Sequence, residues 1–355
     1  MITGYVVIGL FILASLLALL ERYSGKYKMA AYLALGAMMV LAAGMREVGI
    51  DPDSENYEYT FLHSDDPSSG ILDNLEVSYA WISSFINLFT NDVHVVFLLY
   101  ALLGLTFKFI AFRHLSELWF LPVVVYIGYY FTAHEMMQIR TAVLSGLFLL
   151  ALYYQAEGRR LAACLLILLG CFFHYSGFLL LPLLFLSSDY MPLRKRLIWL
   201  AVLPASYLVF FLGLSVLLSS DIPLIGVKLA SYQNEEATGN GVGYVNVFRP
   251  LHLFSIALLV YLMIFYDAIV KQSKHFTLML KIFILGLSAY EIFGFLPVLA
   301  QRVNTLLLIV TIPLYTYIYY TIRPKWAAIL VVIFVAFVYL NYSLPLIGTY
   351  LLWNG

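Results

Sequence analysis

Nine stretches of this chain are apolar for long enough to cross a bilayer: near residues 2–20, 28–45, 92–112, 136–154, 197–218, 250–270, 278–298, 302–321 and 325–345. A spanning helix needs about 17–25 such residues, because once water is excluded every backbone N–H and C=O must be satisfied within the segment. Three shorter or broken runs, 117–131, 160–173 and 177–188, fit as tilted or interrupted spans. The stretch 77–90 is apolar but punctuated by Ser and Asn, and reads as an interfacial or re-entrant helix. The expectation is an all-α, polytopic membrane protein of about twelve helices, folded as one integral domain over 1–355 with no internal repeat.

Composition closes off the soluble alternative. Only 11% of the 355 residues are charged and 63% are hydrophobic, whereas a water-exposed domain carries about 25% charged residues. The 20 basic and 20 acidic residues cancel, so no basic excess points to nucleic acid. Residues 2–20 lack a basic leader and a small-residue cleavage signal, and read as a retained helix. Cys164 and Cys171 sit in an apolar run and read as small buried side chains rather than a disulfide or metal pair.

Orientation follows the cations. With the N-terminus outside, 15 of the 20 Lys and Arg fall in inner loops or at inner helix ends, as the positive-inside rule requires. The other five, Arg46, Arg140, Lys228, Arg249 and Arg302, fall on the outer side. That side also receives two long loops, about 46–76 and 219–249, the first with nine carboxylates. Loops of this length are uncommon without a function, so the chemistry is expected there.

Arg46, Arg140, Arg249 and Arg302 all stand at outer helix ends. Arginine inside a span costs about 2.5–3.5 kcal/mol, and its planar fork matches phosphate oxygens two at a time. Several at one depth suggest a diphosphate clamp; ion pairs with loop carboxylates or snorkelling to headgroups are the plainer alternatives. In 134–146, His134, Gln138, Thr141 and Ser145 recur at helical spacing on one face of a helix expected to start near His134. Such a stripe lines a cavity or bonds to neighbouring helices. His174, in FFHYSG, falls at an outer turn and is a candidate proton acceptor, as is His134; either could instead be structural. Glu291 lies within an apolar helix just before the Gly294–Pro297 break, and is expected to pair across it with Arg302 or to serve as acid/base. Asp51-x-Asp53 offers hard oxygens, but two carboxylates are a thin ligand set and no metal is assigned.

The segments MREVGIDPDSENYEYTF, LEVSYAWISSF, MMQIRTAVLSGLFLLAL and FFHYSG resemble the EpsG family, Wzy-like polymerases of bacterial exopolysaccharide, capsule and O-antigen. The likeness is good over about residues 30–190 and thinner beyond, where hydropathy and RVN carry it. The family pattern R-x-x-x-G-x-D-x-x-x-Y is approached by Arg46, Gly49 (one place early), Asp51 and Tyr57. Glu76 matches the acidic residue opening the next helix, although Val77 follows where Gly is usual. Arg140 matches a Q-x-R-x-A-like position, with Gln138 beside it, and His174 and Ser176 match H-x-S. The resemblance implies a GT-C-like glycosyltransferase in the bacterial inner membrane, with its active site facing the periplasm. It implies undecaprenyl-diphosphate-linked oligosaccharide as substrate, membrane lipid around it, no cofactor, and a chain-length regulator as partner. On that reading the four arginines hold diphosphate, His134, His174 or Glu291 takes the hydroxyl proton, and Asp51, grouped with these catalytic residues, orients sugars or the arginines. Tyr57, Glu76 and Gln138 contact sugar. A flippase of the same lipid-linked unit, a ligase and an O-acyltransferase are the competing classes. The first would favour inverted repeats, and the last a histidine at membrane depth.

Overall fold

The computed structural model describes residues 2–64, 77–219, 245–294 and 296–351, with backbone only over 214–219. Among them there is helix and loop and no strand. Among the described residues, seven helices are long and apolar enough to cross a membrane: Ile2–Tyr23, Gly25–Gly44, His94–Leu115, Ile139–Ala156, Leu193–Gly213, Pro297–Thr321 and Lys325–Ile347. Four shorter apolar helices accompany them. Two of the nine longer runs, 250–270 and 278–298, yield the 15-residue Pro250–Ile264 and the 17-residue Phe276–Ile292, and two of the short runs are cut back locally. The 117–131 run yields only Phe120–Tyr129, and 177–188 becomes a 3-10 segment, Tyr175–Phe185, with Pro182 inside it. Proline removes a backbone donor and its ring crowds the preceding turn, which disfavours a regular α-helix there.

The chain divides into two compact units, Met1–Ser187 with Ile312–Gly355, and Ser188–Thr311. In the first, α1 (Ile2–Leu20), α2 (Lys28–Gly44), α3 (Ser54–Leu62), α4 (Val77–Asn87), α5 (His94–Leu115), α6 (Phe120–Tyr129), α7 (Ile139–Ala156) and α8 (Arg160–Phe173) run in order. α5 packs on α2 and α7, and α7 on α8. Glycine permits these close crossings. A methyl on Gly146 would lie 2.9 Å from the Gly104 carbonyl oxygen, and one on Gly44 would lie 2.8 Å from Leu98 Cα. Buried hydroxyls donate across helices in place of water, as where Tyr32 bonds the Phe109 carbonyl at 2.9 Å.

Between α6 and α7 the chain forms a π-helical turn, Thr132–Met137, and Gln138 (φ −95°, ψ 58°) breaks it before α7 begins at Ile139. The continuous helix expected from His134 is therefore two pieces. Arg140 becomes the second residue of α7, where amide groups lack intrahelical partners. α4 is an eleven-residue helix packed on α3, α5 and α8, in keeping with a non-spanning segment.

In the second unit, α9 (Leu193–Ser219), α10 (Pro250–Ile264), α11 (Phe276–Ile292) and α12 (Pro297–Leu307) follow. α11 packs on α9, α10 and α12, and Asn304 donates to the Gly286 carbonyl at 3.0 Å. Tyr266 ties one end together, accepting from Met191 N–H at 2.9 Å and meeting Thr277 Oγ1 at 2.7 Å. The last long helix, α13 (Lys325–Ser343), belongs to the first unit and packs on α6.

Candidate functional site

In the first unit, Arg46 lies two residues past α2 and is 1% exposed. Its Nε donates to Asp51 Oδ2 at 3.1 Å, Nη1 to the Ala43 carbonyl at 2.8 Å, and Nη2 to the Met136 carbonyl on the π-turn. The guanidinium lies over the Phe97 ring, 3.9 Å from its centre. A buried arginine is tolerable only when its donors and charge are met in this way. Asp51 does the rest locally. Its Oδ1 accepts from the backbone N–H groups of Asp53 (3.1 Å) and Ser54 (3.0 Å) at the start of α3. Gly49 N–H donates to Ser54 Oγ at 2.8 Å with φ +86°, a left-handed geometry suited to glycine. The Arg46–Gly49–Asp51–Tyr57 pattern is thus a turn, a cap and a short helix. Asp51 is the anchor of Arg46, with both oxygens engaged.

α3 presents Tyr57 to Arg140, whose guanidinium lies 5.6 Å from the Tyr57 ring centre. Burial pushes the Tyr57 hydroxyl up from its ordinary range, while the charge of Arg140 and a hydrogen bond between the two pull it back. Tyr79 donates to the Tyr57 carbonyl at 2.7 Å, and the Tyr57, Tyr79 and Tyr100 rings follow one another at 5.4 and 6.0 Å. The structure thus brings Arg46, Asp51, Tyr57 and Arg140 into one neighbourhood, with Gln138 at the joint before α7.

The histidines fare differently. His134, within the π-turn, is fully buried, with Nδ1 3.3 Å from Ser145 Oγ and its ring against Tyr130. The ends of the polar stripe do meet, inside the protein. His174 caps the 3-10 segment, its Nδ1 accepting from Ser176 N–H at 3.1 Å and close to Ser176 Oγ at 2.8 Å. A backbone N–H can only donate, so Nδ1 is the acceptor and the ring proton of the neutral form sits on Nε2. The H-x-S pattern is accounted for as a cap. Glu76, the other sugar candidate, lies outside the described residues.

The second unit assembles a separate group. Arg249 is the N-cap of α10, with Pro250 fixing the first helical turn, and its guanidinium stands 4.3 Å from the Tyr290 ring centre. Its Nε is buried without a hydrogen-bond partner among the described residues. One turn on, His252 Nε2 meets Glu291 Oε1 at 3.0 Å, and Ser206 of α9 donates to Glu291 Oε2. Glu291 is 0% exposed and His252 2%. The anticipated partner of Glu291 across the break, Arg302, is replaced by His252; Arg302 is exposed on α12. An imidazole whose Nε2–H is held by a carboxylate presents Nδ1 as its basic nitrogen.

Sequence reasoning passed over His252 and Ser206, and a further centre in the first unit. There Lys108 Nζ bonds Glu135 Oε1 at 2.8 Å and the Ala142 carbonyl at 2.6 Å, while Tyr126 donates to the same carboxylate oxygen at 2.7 Å. The available signals were His252 at i+3 from Arg249, and a charge at 108 seven residues short of the end of α5.

No curated protein and no solved structure matches the chain. The profile of the EpsG family matches residues 29–352, nearly the whole sequence. The chain therefore belongs to the EpsG family, a family related to polysaccharide polymerases.

Proposed function

We propose that this protein is a membrane glycosyltransferase that polymerises lipid-diphosphate-linked oligosaccharide units at the outer face of the bacterial inner membrane. One observation carries the reading: a carboxylate-oriented histidine, His252 on Glu291, one helical turn from the arginine Arg249. In the reaction, a sugar hydroxyl of the incoming unit attacks the anomeric carbon of the growing chain. The new glycosidic bond forms as the bond from that carbon to the phosphate oxygen breaks. The lipid diphosphate leaves with the electron pair, and the hydroxyl proton passes to His252 Nδ1. Glu291 stabilises the imidazolium, as a buried carboxylate does in other base–orienter pairs. Arg249 opposes the charge growing on the leaving diphosphate.

The remaining assignments follow the same chemistry. Arg140, half-buried beside Tyr57, is assigned to a substrate phosphate oxygen, and Arg46 and Asp51 hold the segment that carries Tyr57. Arg302 is a further phosphate contact, and Tyr57, Glu76 and Gln138 are sugar contacts. The bias of 15 among 20 cations supports the outward orientation.

The test is purified protein with a synthetic lipid-linked repeat unit. Wild type is expected to build a ladder, and His252→Gln to lower its rate by about 100-fold or more with KM little changed. Scrambling of the lipid across liposomes without a ladder would make the protein a flippase. A wild-type ladder from His252→Gln would remove that histidine from the mechanism. Unchanged polymer length from Arg140→Ala, at normal protein level, would remove Arg140.

A further inference from the structure

A groove of about 440 Å³ runs between α2 and α5 on the apolar side of the first unit. Its walls are Leu33, Ala37 and Leu41 on α2 and Leu102 and Ile110 on α5. Gly36 forms the floor, where a methyl would lie 3.1 Å from Phe109 Cε1. From Leu102 to Arg113 the groove is about 17 Å long at 1.5 Å per helical residue, close to one leaflet of a hydrocarbon core of about 30 Å.

Its two ends differ. Toward Arg46 the helices close, Gly44 lying against Leu98 so tightly that no side chain fits between them. At the other end stand Arg113 and Lys28, both over the Trp119 ring at 4.5 and 4.1 Å. Lys28 is neutralised by Glu21 at 2.6 Å. Arg113 is exposed and has no carboxylate partner among the described residues. The geometry points to a bound phospholipid with an anionic headgroup: one acyl chain in the groove, the headgroup phosphate on Arg113, and Trp119 at the interface. The closed end rules out a chain descending from a headgroup on the Arg46 side, so this ligand is distinct from the proposed lipid-linked substrate. An acyl chain here fills the gap between the two helices whose opposite ends hold Arg46.

The experiment is native mass spectrometry of the purified full-length protein in neutral detergent, titrated with dioleoyl phosphatidylglycerol or dioleoyl phosphatidylcholine. One phosphatidylglycerol is expected to be retained, about fivefold more tightly than phosphatidylcholine, the worth of one cation near a headgroup. Arg113→Gln should erase the preference while leaving acyl-chain binding. Ala37→Phe, at an exposed position, should reduce retention of both lipids. Equal retention of the two lipids by wild type, a preference that survives Arg113→Gln, or full binding to Ala37→Phe would each overturn the proposal.

Discussion

Replacing Lys108 by Met should destabilise the protein more than replacing Lys108 and Glu135 together. Both side chains are 0% exposed. Lys108 Nζ has two short charged hydrogen bonds, to Glu135 Oε1 at 2.8 Å and to the Ala142 carbonyl at 2.6 Å. At about 1.5–3 kcal/mol for each hydrogen bond to a charged group, their loss amounts to about 3–6 kcal/mol, in line with about 3–5 kcal/mol for breaking a buried pair from one side. Glu135 has little room to find another partner. Its Oε2 makes no hydrogen bond among the described residues, and a methyl on Gly104 would lie only 2.8 Å from it. In Lys108→Met/Glu135→Leu no buried charge remains, and the expected loss falls to about 1–3 kcal/mol, the cost of leaving the Tyr126 hydroxyl without the carboxylate it donates to. The assay is a double-mutant cycle on unfolding in mixed micelles, with a coupling energy of about 3 kcal/mol or more expected. A single substitution costing under about 1 kcal/mol, or a double variant as unstable as the two singles summed, would refute an ion pair that holds the π-turn.

Asp51→Asn retains an acceptor for the α3 cap but leaves the buried Arg46 guanidinium without its counter-charge; it should cost about 3–5 kcal/mol in the same unfolding assay. Gly49→Ala must adopt φ +86° and should cost about 1–2 kcal/mol, with its methyl 2.9 Å from Glu55 Oε1, which has to move aside. Glu21→Gln should lower stability by about 1–3 kcal/mol, because the carboxylate accepts from Trp119 N–H (2.6 Å) and Phe120 N–H (3.1 Å) while pairing with Lys28. Asp92 is held below its usual carboxylate range, first by the His94 backbone N–H and then by its ring. Its contribution is complete above the unfolded carboxylate range and is lost as pH falls through the lowered folded value, so Asp92→Ala should flatten the acid limb of a melting-temperature profile.

The spans were legible because their signal is length and apolarity alone. His94–Leu115, Ile139–Ala156 and Lys325–Ile347 fall within a few residues of the runs that announced them. The π-turn was not legible. Nothing in TAHEMMQ distinguishes a turn of π-helix from α-helix, since the choice is made by contacts that come from elsewhere in the chain. Lys108 takes Glu135 from within the turn and the Ala142 carbonyl from the helix after it, and Arg46 takes the Met136 carbonyl. With those acceptors engaged, the backbone bends at Gln138 and α7 starts five residues later than the periodicity of 134–145 suggests.

Burying a charge is a cost visible in sequence, but the group that meets the cost is a property of the fold. Glu291 inside an apolar run announces that some partner must exist. The nearest cation along the chain on that side is Arg302, eleven residues away, and the structure supplies His252, 39 residues away. The same holds for Arg46, whose partner Asp51 is local and legible while the Met136 carbonyl is 90 residues away. Functional assignment turns on this difference. A carboxylate paired with arginine is a fixed anion, whereas one paired with histidine determines which ring nitrogen is basic. Only with the partner known does the proposed mechanism assign Glu291 to orienting a base rather than to being one.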